Sequence, residues 1–135
     1  MKFEDSKYFN LKHFKLKKPF GNFYFLESFI LSELNEGVHF DWNKVEEIAI
    51  EVVKFYGINV KVGHVSNRIN SYSVDPSVWT KLDEKYSILT TSTIVSYNEM
   101  TLMNASIEEV FSKNNIKHCI SLEEGTEWIL NFNKV

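Results

Sequence analysis

The segment Ser66–Ser73 concentrates more polar chemistry than its surroundings in the sequence. It combines one guanidinium, two amides, one phenol and three hydroxyls. Its polar members are Ser66, Asn67, Arg68, Asn70, Ser71, Tyr72 and Ser73. Arg68 is the one arginine of the sequence, so a planar fork that can hold an anion through two hydrogen bonds occurs nowhere else. We therefore take this segment as the candidate loop for a ligand or a partner.

The pattern around the segment predicts a polar loop between a strand that ends at Val65 and a helix that follows Asp75-Pro76. Open α/β sheets bind ligands at such positions, outside the carboxyl ends of their strands. If the loop is a site, Arg68 should be at least partly exposed beside the helix N-terminus, which favours an anion. Alternatively, Arg68 pairs with a carboxylate, and the Ser and Asn side chains satisfy the backbone of a turn.

The histidines and the single cysteine show no spacing typical of a metal site. His13, His39, His64 and His118 lie far apart, without an HExxH motif or a pair of cysteines. We interpret the strand histidines as hydrogen-bonded structural residues. Cys119 is predicted to be a small buried residue, and it has no second cysteine for an internal disulfide. We expect neither a metal nor a cofactor.

Motifs typical of catalysis are also missing from the sequence. The five glycines are scattered, so no glycine-rich phosphate loop is present, and there is no GxSxG elbow. Asp41, Asp75 and Asp83 fall at helix starts or on a polar face. We therefore predict that the protein is not an enzyme.

Length and composition predict one globular domain over residues 1–135, with residues 1–10 loosely ordered. Hydrophobic residues make up 44 % of the 135 and charged residues 24 %, which excludes a disordered chain. The net charge of −3 argues against a general nucleic-acid binder. The N-terminus lacks the apolar region of a signal peptide, and the apolar stretch 23–31 is too short to span a membrane. We expect a cytoplasmic protein.

The charge is unevenly distributed, because residues 1–18 carry +4 and the remaining residues −7. A strand over 12–18 would place Phe14 and Leu16 on one face and His13, Lys15 and Lys17 on the other. Such a strand could bind RNA or an acidic lipid surface. We favour an edge strand whose lysines discourage pairing with other chains.

The first third of the chain predicts a β-meander, with strands at 12–18, 23–26 and 29–34 joined by short connections. A helix follows, because Asp41 and Gly57 fit its two caps and apolar residues between them recur at three- and four-residue spacing. Further strands are predicted at 58–65, 87–97 and 116–120, of which the middle one is central in the sheet.

The second half of the chain predicts three more helices. One follows Asp75-Pro76, and one lies near 104–113. The last begins with a capping box at Ser121. The residues expected to face inward are Ile107, Val110 and Phe111 on the third helix, and Leu122, Trp128, Ile129 and Phe132 on the last. The fold class is therefore α/β: an N-terminal β-meander followed by βα units, forming one mixed sheet with four helices packed against it.

Four strings of the sequence resemble the STAS/SpoIIAA-like fold family, in particular its small stand-alone bacterial members. They lie at 21–25, 33–39, 66–76 and 121–129. The third, Ser66 to Pro76, is the most specific, and the resemblance extends from about Phe14 to Leu130. It implies a STAS-like α/β fold for nearly the whole chain.

Two departures from the family limit what the resemblance implies. The last helix has Gly125 where alanine is usual, which should cost about 1 kcal/mol of helix stability. The Asp-Ser-Ser-Gly motif, whose serine accepts a phosphoryl group in the anti-sigma-factor antagonists, is absent; Ser71, Ser73 and Ser77 stand in a different context. The resemblance therefore implies the fold without the phosphoswitch.

Two functional hypotheses follow. The first is a non-enzymatic interaction or regulatory module that binds a protein partner, with a second copy of the chain as one candidate, a homodimer. The second is a carrier or sensor of a small apolar or anionic ligand, lipid-like in character, because related folds include lipid carriers and 11 Phe, 6 Tyr and 3 Trp could line a cavity. We expect no nucleic-acid partner.

Overall fold

The computed structural model describes residues 1–112 and 116–132. The strands are β1 His13–Lys18, β2 Gly21–Leu26, β3 Phe29–Leu34, β4 His39–Phe40, β5 Val62–Arg68, β6 Ser73–Val74, β7 Leu89–Ser96 and β8 Ile116–Cys119. The helices are α1 Trp42–Tyr56, α2 Ser77–Lys85, α3 Glu99–Phe111 and α4 Leu122–Phe132. The predicted class, an α/β fold with a mixed sheet, is confirmed.

Within the described ranges, six strands form one sheet in the order β1-β2-β3-β5-β7-β8. β1, β2 and β3 pair antiparallel as the predicted meander, and β3, β5, β7 and β8 pair parallel. β1 is an edge strand, as its lysines indicate. β4 and β6, which the sequence did not predict, pair parallel as a separate two-stranded sheet. No helix in the described part of the chain has the length and apolar character needed to cross a membrane.

Alternation along the strands gives the sheet two buried faces. Phe23 and Phe25 of β2 pack in one cluster with residues of α1. Tyr24 and Leu26 belong to the opposite cluster, together with Ile129 of α4. Both faces are thus covered, which explains why β2 and β3 are almost wholly buried.

The N-terminal segment is not loosely ordered, which corrects the expectation for residues 1–10. It forms two short 3-10 helices, Phe3–Asp5 and Lys7–Asn10. Phe3 is 0 % exposed and packs against Tyr24 with 4.4 Å between the ring centroids. The Phe3 backbone N–H also donates to Glu33 Oε2 at 2.8 Å. A buried aromatic and a buried hydrogen bond therefore fix this segment to the sheet.

α4 packs so closely on the sheet that glycine is required at the contact. A Cβ on Gly125 would lie 2.8 Å from Val95 Cγ2 and 3.1 Å from Thr93 Oγ1. This close approach explains why position 125 holds a glycine although alanine is the better helix former. Leu122 and Ile129 are buried as predicted, whereas Trp128 is half-buried and Phe132 is exposed, so the inward position predicted for Phe132 is wrong.

α3 begins at Glu99, earlier than the predicted start near 104. The Asn98 side chain accepts a hydrogen bond from the Thr101 backbone N–H at 2.9 Å and so caps the helix. The predicted end at Lys113 lies outside the described residues.

Candidate functional site

The predicted polar loop is shorter than the sequence indicates. β5 continues to Arg68, so Ser66, Asn67 and Arg68 are strand residues that pair with β7. Ser73 belongs to β6. The predicted strand ends at Val65, three residues too early, because the last residues of β5 are polar and yet buried. A search for alternating hydrophobic residues does not recognise such residues as part of a strand.

Arg68 forms a buried ion pair with Glu108 of α3. Its two terminal nitrogens donate to the two carboxylate oxygens at 2.5 and 2.7 Å, and its Nε donates to Ser66 Oγ at 3.0 Å. Trp79 Nε1 donates to the same carboxylate at 3.0 Å. The guanidinium carbon lies 5.6 Å from the centre of the Tyr72 ring. Every polar group of this cluster is thus engaged with another.

The expectation that Arg68 is partly exposed is wrong. Arg68 is 5 % exposed and Glu108 is 2 % exposed. Pairing with a carboxylate, the alternative interpretation, is the one that the geometry supports. Burial of a charge is costly unless the charge is paired, so the guanidinium is committed to Glu108 rather than to an external anion.

The seven candidate residues do not come together as one site. Ser66, Arg68 and Tyr72 are neighbours, and Ser66 Oγ lies 3.3 Å from the Tyr72 hydroxyl. Asn67 points to the other face of the sheet, where its Nδ2 donates to Glu33 Oε2 at 2.6 Å and its Oδ1 accepts from the Tyr97 hydroxyl at 2.6 Å. Alternation along β5 separates the two groups.

The other three candidates support the connection between β3 and β4. Asn70 Nδ2 donates to the Leu34 carbonyl at 2.9 Å, and the Ser71 backbone N–H donates to Glu36 Oε2 at 2.8 Å. Ser73 Oγ lies 2.7 Å from His39 Nδ1. Of these contacts, the one from Asn70 is a side chain that satisfies the backbone, as the alternative interpretation predicts, whereas Ser71 contributes its backbone N–H and Ser73 contacts a side chain.

An exposed apolar stripe on α3 is the surface feature that sequence reasoning missed. Met100, Met103, Ile107 and Val110, the α3 stripe, are 73, 69, 55 and 82 % exposed. The predicted inward positions of Ile107 and Val110 are therefore wrong, and the side chain of Phe111 lies outside the described residues. The three- and four-residue spacing does place Ile107 and Val110 on one face of α3, as the sequence indicates.

The buried face of α3 is formed by other residues. Ala105 is 0 % exposed, and Glu108, on the same side of the helix, holds Arg68. At 3.6 residues per turn, this face lies opposite the α3 stripe. The ion pair with Arg68 therefore fixes which side of α3 faces the solvent.

Ser32 and His64 form a second polar pair, in the interior. Ser32 Oγ lies 2.9 Å from His64 Nε2. Burial, and then the Arg68 charge, lower the pKa of His64 to about 4, so its ring is neutral at neutral pH. In the described ranges His64 Nδ1 has no hydrogen-bond partner. A serine next to a histidine has the geometry of a nucleophile and its base, but this pKa makes His64 a weak base.

Within the described residues, no three His, Cys, Asp or Glu side chains come together so that they could hold a metal ion. Cys119 is buried, as predicted.

Comparison with known proteins identifies the fold. No protein-family model matches the sequence, and no curated protein matches it. The chain is similar to the crystal structure of an uncharacterized protein from the DUF3478 family with a SpoIIAA-like fold, from Shewanella loihica PV-4. The TM-score is 0.52 at 10 % sequence identity, over 87 % of this chain and 92 % of that one. At this identity the likeness concerns the fold alone, and we conclude that the chain has a SpoIIAA-like fold.

Proposed function

We propose that this protein is a non-enzymatic, STAS-type interaction module that binds a partner protein through the α3 stripe. The observation that carries the proposal is the exposure of its four members, of which the least exposed still shows 55 % of its surface. A row of large apolar side chains on one helix face is unusual on a monomer surface and marks a contact for another molecule. Two of the four are methionines, whose flexible side chains adapt to a partner surface.

The rigid support below the stripe favours this function. Glu108 is held by both Arg68 and Trp79, so α3 is anchored to β5 and α2 from beneath. A helix fixed in this way presents the stripe in one orientation, and little conformational entropy is then lost on binding.

The charges around the stripe indicate the chemistry of the partner. Glu99 lies on the same helix, as does Glu109, whose carboxylate contacts His118 Nε2 of β8 at 2.8 Å, and residues 97–112 contain no lysine or arginine. We propose that the partner presents an apolar helix bordered by Lys or Arg side chains. Two copies of this chain facing each other through α3 would bring acidic side chains together, which disfavours such a homodimer.

Catalysis is not part of the proposal. The Ser32–His64 pair has the distance that a nucleophile and a base need, but the pKa of His64 is far from neutral and its Nδ1 has no orienting acceptor among the described residues. We also propose a cytoplasmic location, because a single buried thiol suits a reducing compartment.

The experiment compares three immobilised proteins in lysate of the source organism. They are the wild type, the double variant Met103→Glu/Ile107→Glu, and Ile58→Glu as the matched control. Ile58 is 83 % exposed and lies outside α3, so the control adds a charge at an exposed apolar position elsewhere. Proteins captured by the wild type and the control, but not by the double variant, are purified and their affinities measured.

We expect one such protein, with an apolar segment bordered by basic residues and at least tenfold weaker binding to the double variant. Its affinity should fall with rising salt, because the bordering charges are exposed. Identical capture by all three proteins, or none, would overturn the proposal. Sedimentation of the wild type alone tests whether the partner is a second copy of this chain. A dimer that the wild type forms and the double variant does not form would contradict the proposal of a separate partner protein.

A further inference from the structure

We infer that the protein has an internal binding site, between the sheet and helices α1 and α2, for a small neutral aromatic molecule with one hydroxyl group. This inference is independent of the α3 stripe, which lies on the outer surface of another helix. It rests on two neighbouring cavities and on one buried polar atom, without a partner among the described residues, of a histidine that lines both of them.

Two adjoining cavities of about 60 and 70 Å³ lie in this region. They share five lining residues, which are Ser32, Phe40, Val45, His64 and Leu82. Together they approach the size of a cavity of about 150 Å³ that admits benzene in another protein. The space is thus of the order of a single six-membered ring, and it is too small for a lipid chain.

The lining selects an apolar ligand with one polar group. β2, β3, α1 and α2 contribute mainly aliphatic and aromatic side chains, such as Phe23, Ile30, Ile48 and Val78. In this setting His64 Nδ1 is buried without a hydrogen-bond partner among the described residues. An unpaired buried nitrogen is costly, and a ligand that bonds to it recovers this cost.

A hydroxyl group is the complement that suits this nitrogen. Nδ1 is a donor or an acceptor according to the role of Nε2 in its contact with Ser32. A hydroxyl can donate or accept, so it fits either tautomer.

The charges in the cavity exclude an ionic ligand. Arg68 is neutralised by Glu108 in their ion pair, and His64 is neutral because its pKa is lowered to about 4. A charged ligand would therefore enter an apolar space without a counter-ion, which is costly.

The route into the cavity is covered by the two-stranded sheet. Phe40 of β4 and Val74 of β6 line the cavity, and each strand has only two residues. Three backbone bonds between described residues join the two segments: the Asp75 N–H donates to the Phe40 carbonyl at 3.1 Å, the Ser73 N–H to the Val38 carbonyl at 2.9 Å, and the Gly37 N–H to the Ser71 carbonyl at 2.8 Å. So few backbone bonds can open locally and admit a small molecule.

Phenol is the probe, with benzene and benzoate as the comparison molecules. Titration of the isotope-labelled wild type is followed by NMR at the His64 ring and the Trp79 indole, which both line the cavity. We expect saturable binding, at least tenfold tighter for phenol than for benzene, with no binding of benzoate. The His64→Leu variant should bind phenol and benzene alike.

Ala49→Leu is the cavity-filling variant, because Ala49 lines the second cavity and is buried. We expect at least tenfold weaker phenol binding with an unchanged circular dichroism spectrum. If this variant does not fold, the wild-type titration still decides. Signals that move only near Phe14 and Phe55, which line a surface groove of about 460 Å³, would overturn the inference, and so would an absence of saturable binding.

Discussion

Arg68 on β5 and Glu108 on α3 form two parallel hydrogen bonds between a strand and a helix that lie 40 residues apart in sequence. Both side chains are buried, and Trp79 of α2 donates to the same carboxylate. Three elements thus meet at one ion pair. The arginine that looks like a binding group in the sequence acts as the anchor of α3, and the surface of that helix carries the proposed function.

Arg68→Ala should destabilise the fold by about 3–5 kcal/mol, because it leaves the Glu108 carboxylate buried and unpaired. Arg68→Met combined with Glu108→Leu should cost less, about 1–3 kcal/mol, since only polar groups such as the Trp79 N–H lose a partner. Urea unfolding measures both. Lys7→Ala, which removes an exposed pair with Glu123, is the control and should barely change the midpoint. An Arg68→Ala variant as stable as this control would show that the pair is not an anchor.

The stability of the wild type should fall as the pH drops from about 6.5 to about 4. The pKa of His64 is about 4 in the folded protein, below its ordinary 6.5, so only the unfolded chain takes up a proton in this window. The loss amounts to about 3 kcal/mol at most. Glutamine at position 64 does not titrate. Between about pH 6.5 and 4 the His64→Gln variant should therefore lose less stability than the wild type, and the difference should equal the contribution of His64. Unfolding at several pH values tests this, and a His64→Gln variant that loses as much stability as the wild type over this range would contradict it.

Gly125→Ala should destabilise the protein although alanine is the better helix former. The helix gains about 1 kcal/mol from the substitution. The new Cβ meets the buried Val95 Cγ2 at 2.8 Å, and overpacking of this kind costs about 1–3 kcal/mol. Thermal unfolding should therefore show a lower midpoint than the wild type. Ser106→Ala on the exposed side of α3 is the control, and it should not lower the midpoint. A more stable Gly125→Ala variant would mean that α4 can move away from β7.

Ile107→Glu and Val110→Glu should each change the free energy of unfolding by less than about 0.5 kcal/mol, as expected for exposed positions. Ala105→Glu, on the buried face of the same helix, is the contrasting variant and should disrupt the packing of α3. Circular dichroism during heating distinguishes them. If Ile107→Glu were as damaging as Ala105→Glu, α3 would be rotated relative to this structure and the stripe would be part of the core.

The elements that sequence reasoning predicted well are those with local signals. Asp41 caps α1 by accepting a hydrogen bond from the Lys44 backbone N–H, and Gly57 ends it with a φ of 110°. The short connections of the meander likewise determine its antiparallel pairing. Caps and turns depend on neighbouring residues, so they can be recognised without knowing the rest of the fold.

The features that sequence reasoning missed depend on contacts between distant parts of the chain. The partner of Arg68 is 40 residues away, and no local pattern distinguishes Glu108 from an exposed glutamate. Periodicity placed Ile107 and Val110 on one face, but it does not report what covers that face. An outward and an inward apolar stripe have the same spacing, and only packing separates them.

Hydrogen exchange of the chain, alone and saturated with the captured partner, tests the central claim most directly. If the α3 stripe is the interface, the backbone amides of 99–110 should exchange more slowly in the complex, while those of 69–73 are unchanged. Slower exchange at 69–73, with 99–110 unchanged, would contradict the account and would place the partner on the loop that the sequence first indicated.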